Sequence, residues 1–329
     1  MRFATWESEG VVAAGVVSDA GLHPFQNGVS VLDLARKGLP VALEAGEAAL
    51  TSEPIRLETV RLLPPIQAPT VRDFTSFQEH VEGVRAGSDM GTGAPPEWYA
   101  APPFYFSNPH ALIGAYDDVA VPPDCDLFDF ELEVAAVIGA VPGSDGWSVR
   151  EEDAGDHIFG YTILNDWSAR DTQITEMKVG LGPVKGKDSA TTLGPWLVTP
   201  DELEAYRNDE GFLALDMRVS VNGKLIGQDL LSNMGWTFEQ LVAQASRGAK
   251  IVPGDVLGSG TCGNGGCLLE LWGRDGRDSI PPLHPGDVVE MTVEGIGTIR
   301  GAVVEGLGHT LPPVPAAHPR PVPRTRIRK

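Results

Sequence analysis

The stretch "DFELEVAAVIGAV", residues 129–141, places two acids in an otherwise apolar strand. Side chains alternate across a strand, so Glu131 and Glu133 share one face while Phe130, Leu132, Val134, Ala136 and Ile138 take the other. Two like charges held side by side require either water to screen them or a positive group between them.

The chain has 329 residues, 42% of them hydrophobic, which is enough for one large domain or two modest ones. A formal charge of -20 argues against nucleic-acid binding, which needs surplus Lys and Arg, and suits a protein that collects cations. Cys125, Cys262 and Cys267 are too few for a disulfide framework. The lone pair in "CGNGGC" lacks the second pair of a zinc site, so these read as buried thiols. No apolar run approaches a membrane span, and "MRFATWESEG" is no signal peptide, so the expected location is cytoplasmic, without a membrane partner.

Along the chain, residues 1–68 alternate short apolar runs and turns with a helix-like "SVLDLARKGLPVALEAGEAAL", and read as a small N-terminal domain. Residues 69–311 are rich in Val, Gly and Pro and carry many short strands, among them "CLLELW" and the hairpin around Asn222-Gly223. Helices look few; the clearest is "TFEQLVAQASRG", with Thr237 as cap and Gly248 as stop. This pattern predicts a mainly β, α+β fold with antiparallel pairing, not a doubly wound sheet. Residues 312–329, with six prolines, five basic residues and no acid, read as a disordered tail.

Three segments concentrate the acids: "RDFTSFQEH", "DFELEV" and "GYTILNDWSARDTQ". Taken singly, each acid reads as a solvated surface charge. If Asp166 and Asp73 meet Glu131 and Glu133, however, they form an all-oxygen ligand set suited to Mg²⁺, Mn²⁺ or Ca²⁺ and poor for zinc.

"DFELEVAAVIG", followed by "HIFGYTILNDWSARDTQ", "LGPVKGKDSATTLGPWLVT", "VNGKLIGQD" and "PGDVLGSGT", resembles the fumarylacetoacetate hydrolase family in the same order over residues 69–306. The resemblance implies a mixed β-sandwich roll, often dimeric and often with a smaller N-terminal domain. It implies metal ligation by Asp73, Glu131, Glu133 and Asp166, and His80 as the base that activates water. It further implies Lys187 and Gln173 as donors to an oxyanion, with Arg170 and Thr191 lining the substrate pocket. Arg85 and Tyr105 are added as substrate contacts from a Gly/Pro/Ala-rich segment that reads as a lid.

The expected reaction is metal-dependent hydrolysis of a carbon–carbon bond in a 1,3-diketo acid of the fumarylacetoacetate or acylpyruvate type. Its partners would be a small 2-oxo or diketo acid and a second copy of the chain. One departure stands out. The family pairs its histidine with a glutamate, either in the glycine-rich turn near the C-terminal end or three residues after the histidine. Here the turn "GSGTCGNGGCLLEL" has no acid before Glu270, and the other position is Gly83, with Glu79 and Glu82 out of step. A base without its carboxylate is weaker and less well oriented. Decarboxylation, hydration or isomerisation of a 2-oxo acid therefore stays open beside hydrolysis, as does a non-catalytic metal-dependent binding protein.

Overall fold

A computed structural model of the chain describes residues 1–306 and Ala317. The Pro/Arg-rich tail called at 312–329 lies outside the described residues apart from Ala317.

The fold is an α+β roll of two large sheets. The larger runs, in spatial order, through Gly21–Pro24, Val11–Ser18, Arg2–Ser8, Thr191–Val198, Ile158–Asp166, Leu132–Ile138, Val256–Gly258, Val71–Phe74 and Phe104–Ser107. Most neighbours are antiparallel, but Val256–Gly258 runs parallel to Val71–Phe74. The smaller sheet is Lys224–Leu230, Asp216–Val221, Val288–Val293, Gly297–Val304 and Val119–Ala120. Its first two strands form the hairpin predicted at Asn222-Gly223, where both residues have positive φ. The N-terminal segment joins the larger sheet directly, with Phe3 opposite Leu197.

The alternation read in Leu132–Ile138 sorts its residues between two cores. Leu132, Val134, Ala136 and Ile138 pack with Met217, Val219, Val289 and Met291 of the smaller sheet, filling the space between the sheets. Ala135 and Val137 face the other way, onto Val31, Leu34, Ala35 and Ala42 from the N-terminal helices. Those helices come from the predicted helix-like run, divided at Gly38 into Val31–Ala35 and Leu39–Ala49. Gly38 has φ of 93°, and a Cβ there would lie 2.7 Å from the carbonyl oxygen of Ala140.

Helices are more numerous than the sequence suggests. The expected Thr237 cap forms a capping box with Gln240, and the helix Phe238–Ser246 ends before Gly248. The "CLLELW" segment, by contrast, is not a strand but the start of the helix Leu268–Asp275. Its apolar residues at 268, 269, 271 and 272 fit a helical face as well as a buried strand. The decision is tertiary: the buried Asp129 carboxylate accepts the free amides of Leu268 and Leu269, at 2.8 and 3.0 Å.

This helix packs closely on Gln78–Gly87, the helix that carries His80. A Cβ at Gly273 would lie 2.0 Å from the Gly83 carbonyl oxygen, and one at Gly83 would lie 2.4 Å from Cγ of Glu270. Gly83 therefore leaves room for a side chain from the opposite helix. The substitution Gly273→Ala would favour an isolated helix by roughly 1 kcal/mol. Here we expect it to destabilise the protein by about 1–3 kcal/mol through overpacking, read as a lower urea midpoint at unchanged slope. A higher midpoint would disprove the close helix contact.

Candidate active site

The acids converge because strand ends converge. Asp166 is the last residue of its strand, opposite Thr191, and Glu131 immediately precedes a strand whose Leu132 faces Asn165. Asp73 lies opposite both Gly258 and Tyr105 on its two neighbouring strands. Asp73, Glu131 and Asp166 each offer an oxygen within 4.8 Å of the others, and all three are buried. Glu133 stands behind Asp73, where Thr261 Oγ1 donates to it at 3.3 Å and the Gly260 amide at 3.1 Å. Gly258 makes that approach possible, since a Cβ there would lie 2.5 Å from Asp73 Oδ1 and 2.9 Å from Glu133 Oε2.

Burial removes the screened-surface explanation for the glutamate pair, and two cations take its place. Arg170 reaches Glu131 Oε1 at 2.7 Å and is 1% exposed. Lys187 bridges Glu131 and Asp166, the latter at 2.9 Å. Burial opposes ionisation of Glu131, but Lys187 and Arg170 outweigh it and hold its carboxyl below the usual range. The other acids fare differently. Burial, with the Asp166 charge beside it, pushes Asp73 up to about 7, and burial with Asp73 raises Glu133 well above its ordinary value. The site holds more carboxylates than its two ammonium and guanidinium groups neutralise. Asp73 Oδ1 and Asp166 Oδ1 are buried without a hydrogen-bond partner among the described residues. Orphaned hard oxygens and carboxyls that retain protons fit a divalent cation bound by oxygen ligands.

His80 completes the group. It lies on Gln78–Gly87 and is 7% exposed, with Nε2 4.0 Å from Glu131 Oε1. Burial lowers its pKa to about 4, against the opposing pull of Glu131, so the ring is neutral near pH 7. Nδ1 faces Cys267 Sγ at 3.7 Å. A cavity of about 190 Å³ opens over His80 and the acids and is also lined by Arg85, Gln173, Met177 and Pro183. That size suits a small acid.

The remaining predicted residues fall into different places. Tyr105 donates its hydroxyl to Asp73 Oδ2 at 3.1 Å and also to Asp166, inside the acidic group. Gln173 accepts from Arg170 Nη1 at 2.9 Å. Thr191 sits beside Asp166 by register, 1% exposed. Part of the segment read as a lid is pinned, because Trp98 is buried, packs on Trp236 and donates to the Thr75 carbonyl at 2.7 Å.

Sequence reasoning passed over Asp129, which accepts from Arg170 Nε at 2.8 Å while capping Leu268–Asp275. Its signal was visible, as the first letter of the acidic stretch. Glu270, the first acid after the turn, is buried and accepts from the Gly265 amide at 3.1 Å. Burial pushes it up to about 7, and it forms no ion pair with His80. No helix among the described residues is long and apolar enough to cross a membrane.

The sequence model for "Fumarylacetoacetate (FAA) hydrolase C-terminal" matches residues 70–304. The fumarylacetoacetase of Arabidopsis thaliana is 31% identical over 263 residues, 66% of this chain and 61% of that protein. The chain thus matches less than two thirds of that relative's length. The mitochondrial oxaloacetate tautomerase of Xenopus laevis is 35% identical over 198 residues, 59% of this chain and 55% of that protein. Among solved structures, the 5-carboxymethyl-2-hydroxymuconate delta-isomerase of Mycobacterium smegmatis superposes with a TM-score of 0.64 at 26% identity, covering 93% of this chain and all of that one.

Cation binding is expected to show in stability. The folded protein keeps a proton on Asp73 to about pH 7, whereas the unfolded chain releases it near 3.8. Without metal, that share of stability is present below 3.8 and is lost as pH rises through about 7. Metal binding must displace the proton, so the gain from saturating Mn²⁺ grows across the same window. At 100 times its dissociation constant the ion adds about 2.7 kcal/mol at pH 8, less at pH 5, and almost nothing in Asp73→Asn. Thermal melts with Mn²⁺ and with EDTA measure this, and equal gains in all samples would refute the site.

Proposed function

Because the chain belongs to the fumarylacetoacetate hydrolase family, we propose that it is a divalent-metal-dependent enzyme that hydrolyses a carbon–carbon bond in a small 1,3-diketo acid. The observation that supports this best is His80 Nε2 standing 4.0 Å from Glu131 in the cavity over the acid group. Asp73, Glu131 and Asp166, with Glu133 behind them, would hold Mg²⁺, Mn²⁺ or Ca²⁺. When bound, the ion would supply Lewis-acid polarisation to the carbonyl of a 2-oxo acid.

The protein's own groups supply the rest. Neutral His80 accepts a proton from water as the water oxygen bonds to the distal carbonyl carbon. Lys187, with Gln173 next in line, donates toward the oxyanion of the tetrahedral adduct. Reformation of the carbonyl breaks the carbon–carbon bond, and its electron pair stays with the 2-oxo acid fragment as an enolate. His80 returns the proton to that carbon, giving a carboxylic acid and a 2-oxo acid. Arg170, fixed by Asp129, holds Glu131 and Gln173 in register for these steps. Arg85, Thr191 and Tyr105 would shape the pocket around the acyl group. Val179 and Leu181, 82% and 79% exposed between cavity residues Met177 and Pro183, suit coverage by a second copy in a homodimer.

A second reading is tautomerisation or isomerisation of a 2-oxo acid, with decarboxylation and hydration in the same class. It is favoured by one observation, that Nδ1 of His80 faces a thiol and not a carboxylate. Enolate chemistry needs the polarised 2-oxo acid but no strongly activated water. An assay of acylpyruvates, fumarylacetoacetate-like diketones and oxaloacetate in parallel, with Mg²⁺ or Mn²⁺, separates the two. Hydrolysis of a diketone with kcat lowered about 10²- to 10⁴-fold in His80→Ala is expected. Turnover of oxaloacetate alone sinks the hydrolase reading, and turnover of nothing favours a binding protein.

A further inference from the structure

We propose that the active-site cavity continues past Met177 into a subsite for an uncharged acyl tail, walled by Met90 and Ile174. This rests on the reading of the cavity as the site of a 1,3-diketo acid, and it makes the acyl group of that acid an alkyl or aryl chain.

Two helices lead from the cavity to the surface. Gln78–Gly87 and its C-cap carry His80, Val84 and Ser88 at intervals of four residues, and Arg170–Met177 carries Arg170, Gln173 and Met177 at intervals of three and four, so each set shares one face. At the inner end His80, Val84, Arg170 and Gln173 line the cavity of about 190 Å³ with the acids. At the outer end Ser88, Asp89 and Met90 meet Ile174, Met177 and Lys178 around a second cavity of about 380 Å³. Met177 lines both. It stands about 6 Å of helix axis beyond Gln173. In the proposed reaction Gln173 lies near the attacked carbonyl, so the chain attached to that carbonyl leads past Met177.

The outer cavity suits an uncharged chain. Met90, Ile174 and Met177 give it an apolar wall, and the unbranched thioethers let that wall yield to different shapes. Met90 is 38% exposed, and an alkyl chain laid against it would take that surface from water. Asp89 and Lys178 contribute one charge of each sign, and both helices turn their negative C-terminal ends this way, which disfavours a second carboxylate. Another cavity, of about 430 Å³, adjoins the first at Tyr105, Pro183 and Lys187. Entry there would break the hydrogen bonds of Tyr105 to Asp73 and Asp166 and the ion pairs of Lys187 with Glu131 and Asp166. Met177 needs only to rotate its thioether aside.

N-alkyl oxamates, unreactive analogues of a 2-oxo acid, test this on the full chain with saturating Mn²⁺. Calorimetric titration with the methyl through hexyl members should show the dissociation constant falling about threefold for each methylene that passes Met177. Ile174→Asp, or the more exposed Met90→Asp, should flatten that trend. Val184→Asp, in the cavity beside Lys187, should leave it in place. A dissociation constant indifferent to chain length, no binding of any member, or a trend lost only in Val184→Asp overturns the proposal. Tighter binding of a carboxylate-ended chain of equal length overturns it as well, and assigns Arg85 or Lys178 to an anion. The proposed reaction is decided separately. A length trend without hydrolysis of any acylpyruvate removes the hydrolase reading and keeps the subsite, whereas hydrolysis with a flat series does the reverse.

Discussion

The structure depends on the burial of Glu131 at the meeting point of three positive or potentially positive groups. Arg170, Lys187 and His80 approach it from separate segments, and each is held by a second acid or by a packed helix. A lone buried carboxylate would take up a proton to escape the cost of desolvation. Glu131 stays ionised because two fixed cations repay that cost, whereas Asp73 and Glu133, farther from them, do not. One acid of the site is thus biased toward its charged form and others toward their protonated form.

Rigid supports make such an arrangement tolerable. Three strands converge to bring Asp73, Glu131, Glu133 and Asp166 together, and the sandwich core behind them fixes their spacing. Asp129 joins this sheet to the helical side, since one carboxylate both caps Leu268–Asp275 and binds Arg170. Disturbing that helix would move the thiol facing His80 and loosen the guanidinium facing Glu131 together. Structural and chemical roles cannot be separated at Asp129.

Much of this was legible in the sequence, for reasons specific to each residue. The two-residue spacing of Glu131 and Glu133 and the acid ending "YTILND" are local signals, because a strand converts spacing directly into direction. The Thr237 cap and the Asn222-Gly223 turn are local as well. What escaped was decided at long range. "CLLELW" has a short apolar pattern compatible with either structure, and the deciding hydrogen bonds come from Asp129, some 140 positions earlier. Lys187 was expected as a free donor, but a lysine in a basic loop gives no hint that it will bridge two buried acids. Cys267 read as an inert buried thiol, and burial is correct; only the packing of two glycine-faced helices reveals what it touches.

The imidazole sets a limit on the chemistry. A base with its pKa lowered to about 4 is fully neutral at pH 7, so every molecule is available to accept a proton, but its affinity for that proton is poor. General bases work best with a pKa near the working pH, and burial draws His80 below that range. A carboxylate at Nδ1 would recover part of that deficit by stabilising the imidazolium; a protonated thiol does so only weakly. Burial and the neighbouring cations Arg170 and Lys187 depress His80, yet those same cations favour the ionised form of Glu131. The arrangement that favours the charged form of Glu131 thus also weakens His80 as a proton acceptor. In the proposed reaction, polarisation of the substrate would therefore lower the barrier more than the strength of the base, and His80 would contribute through where it is held.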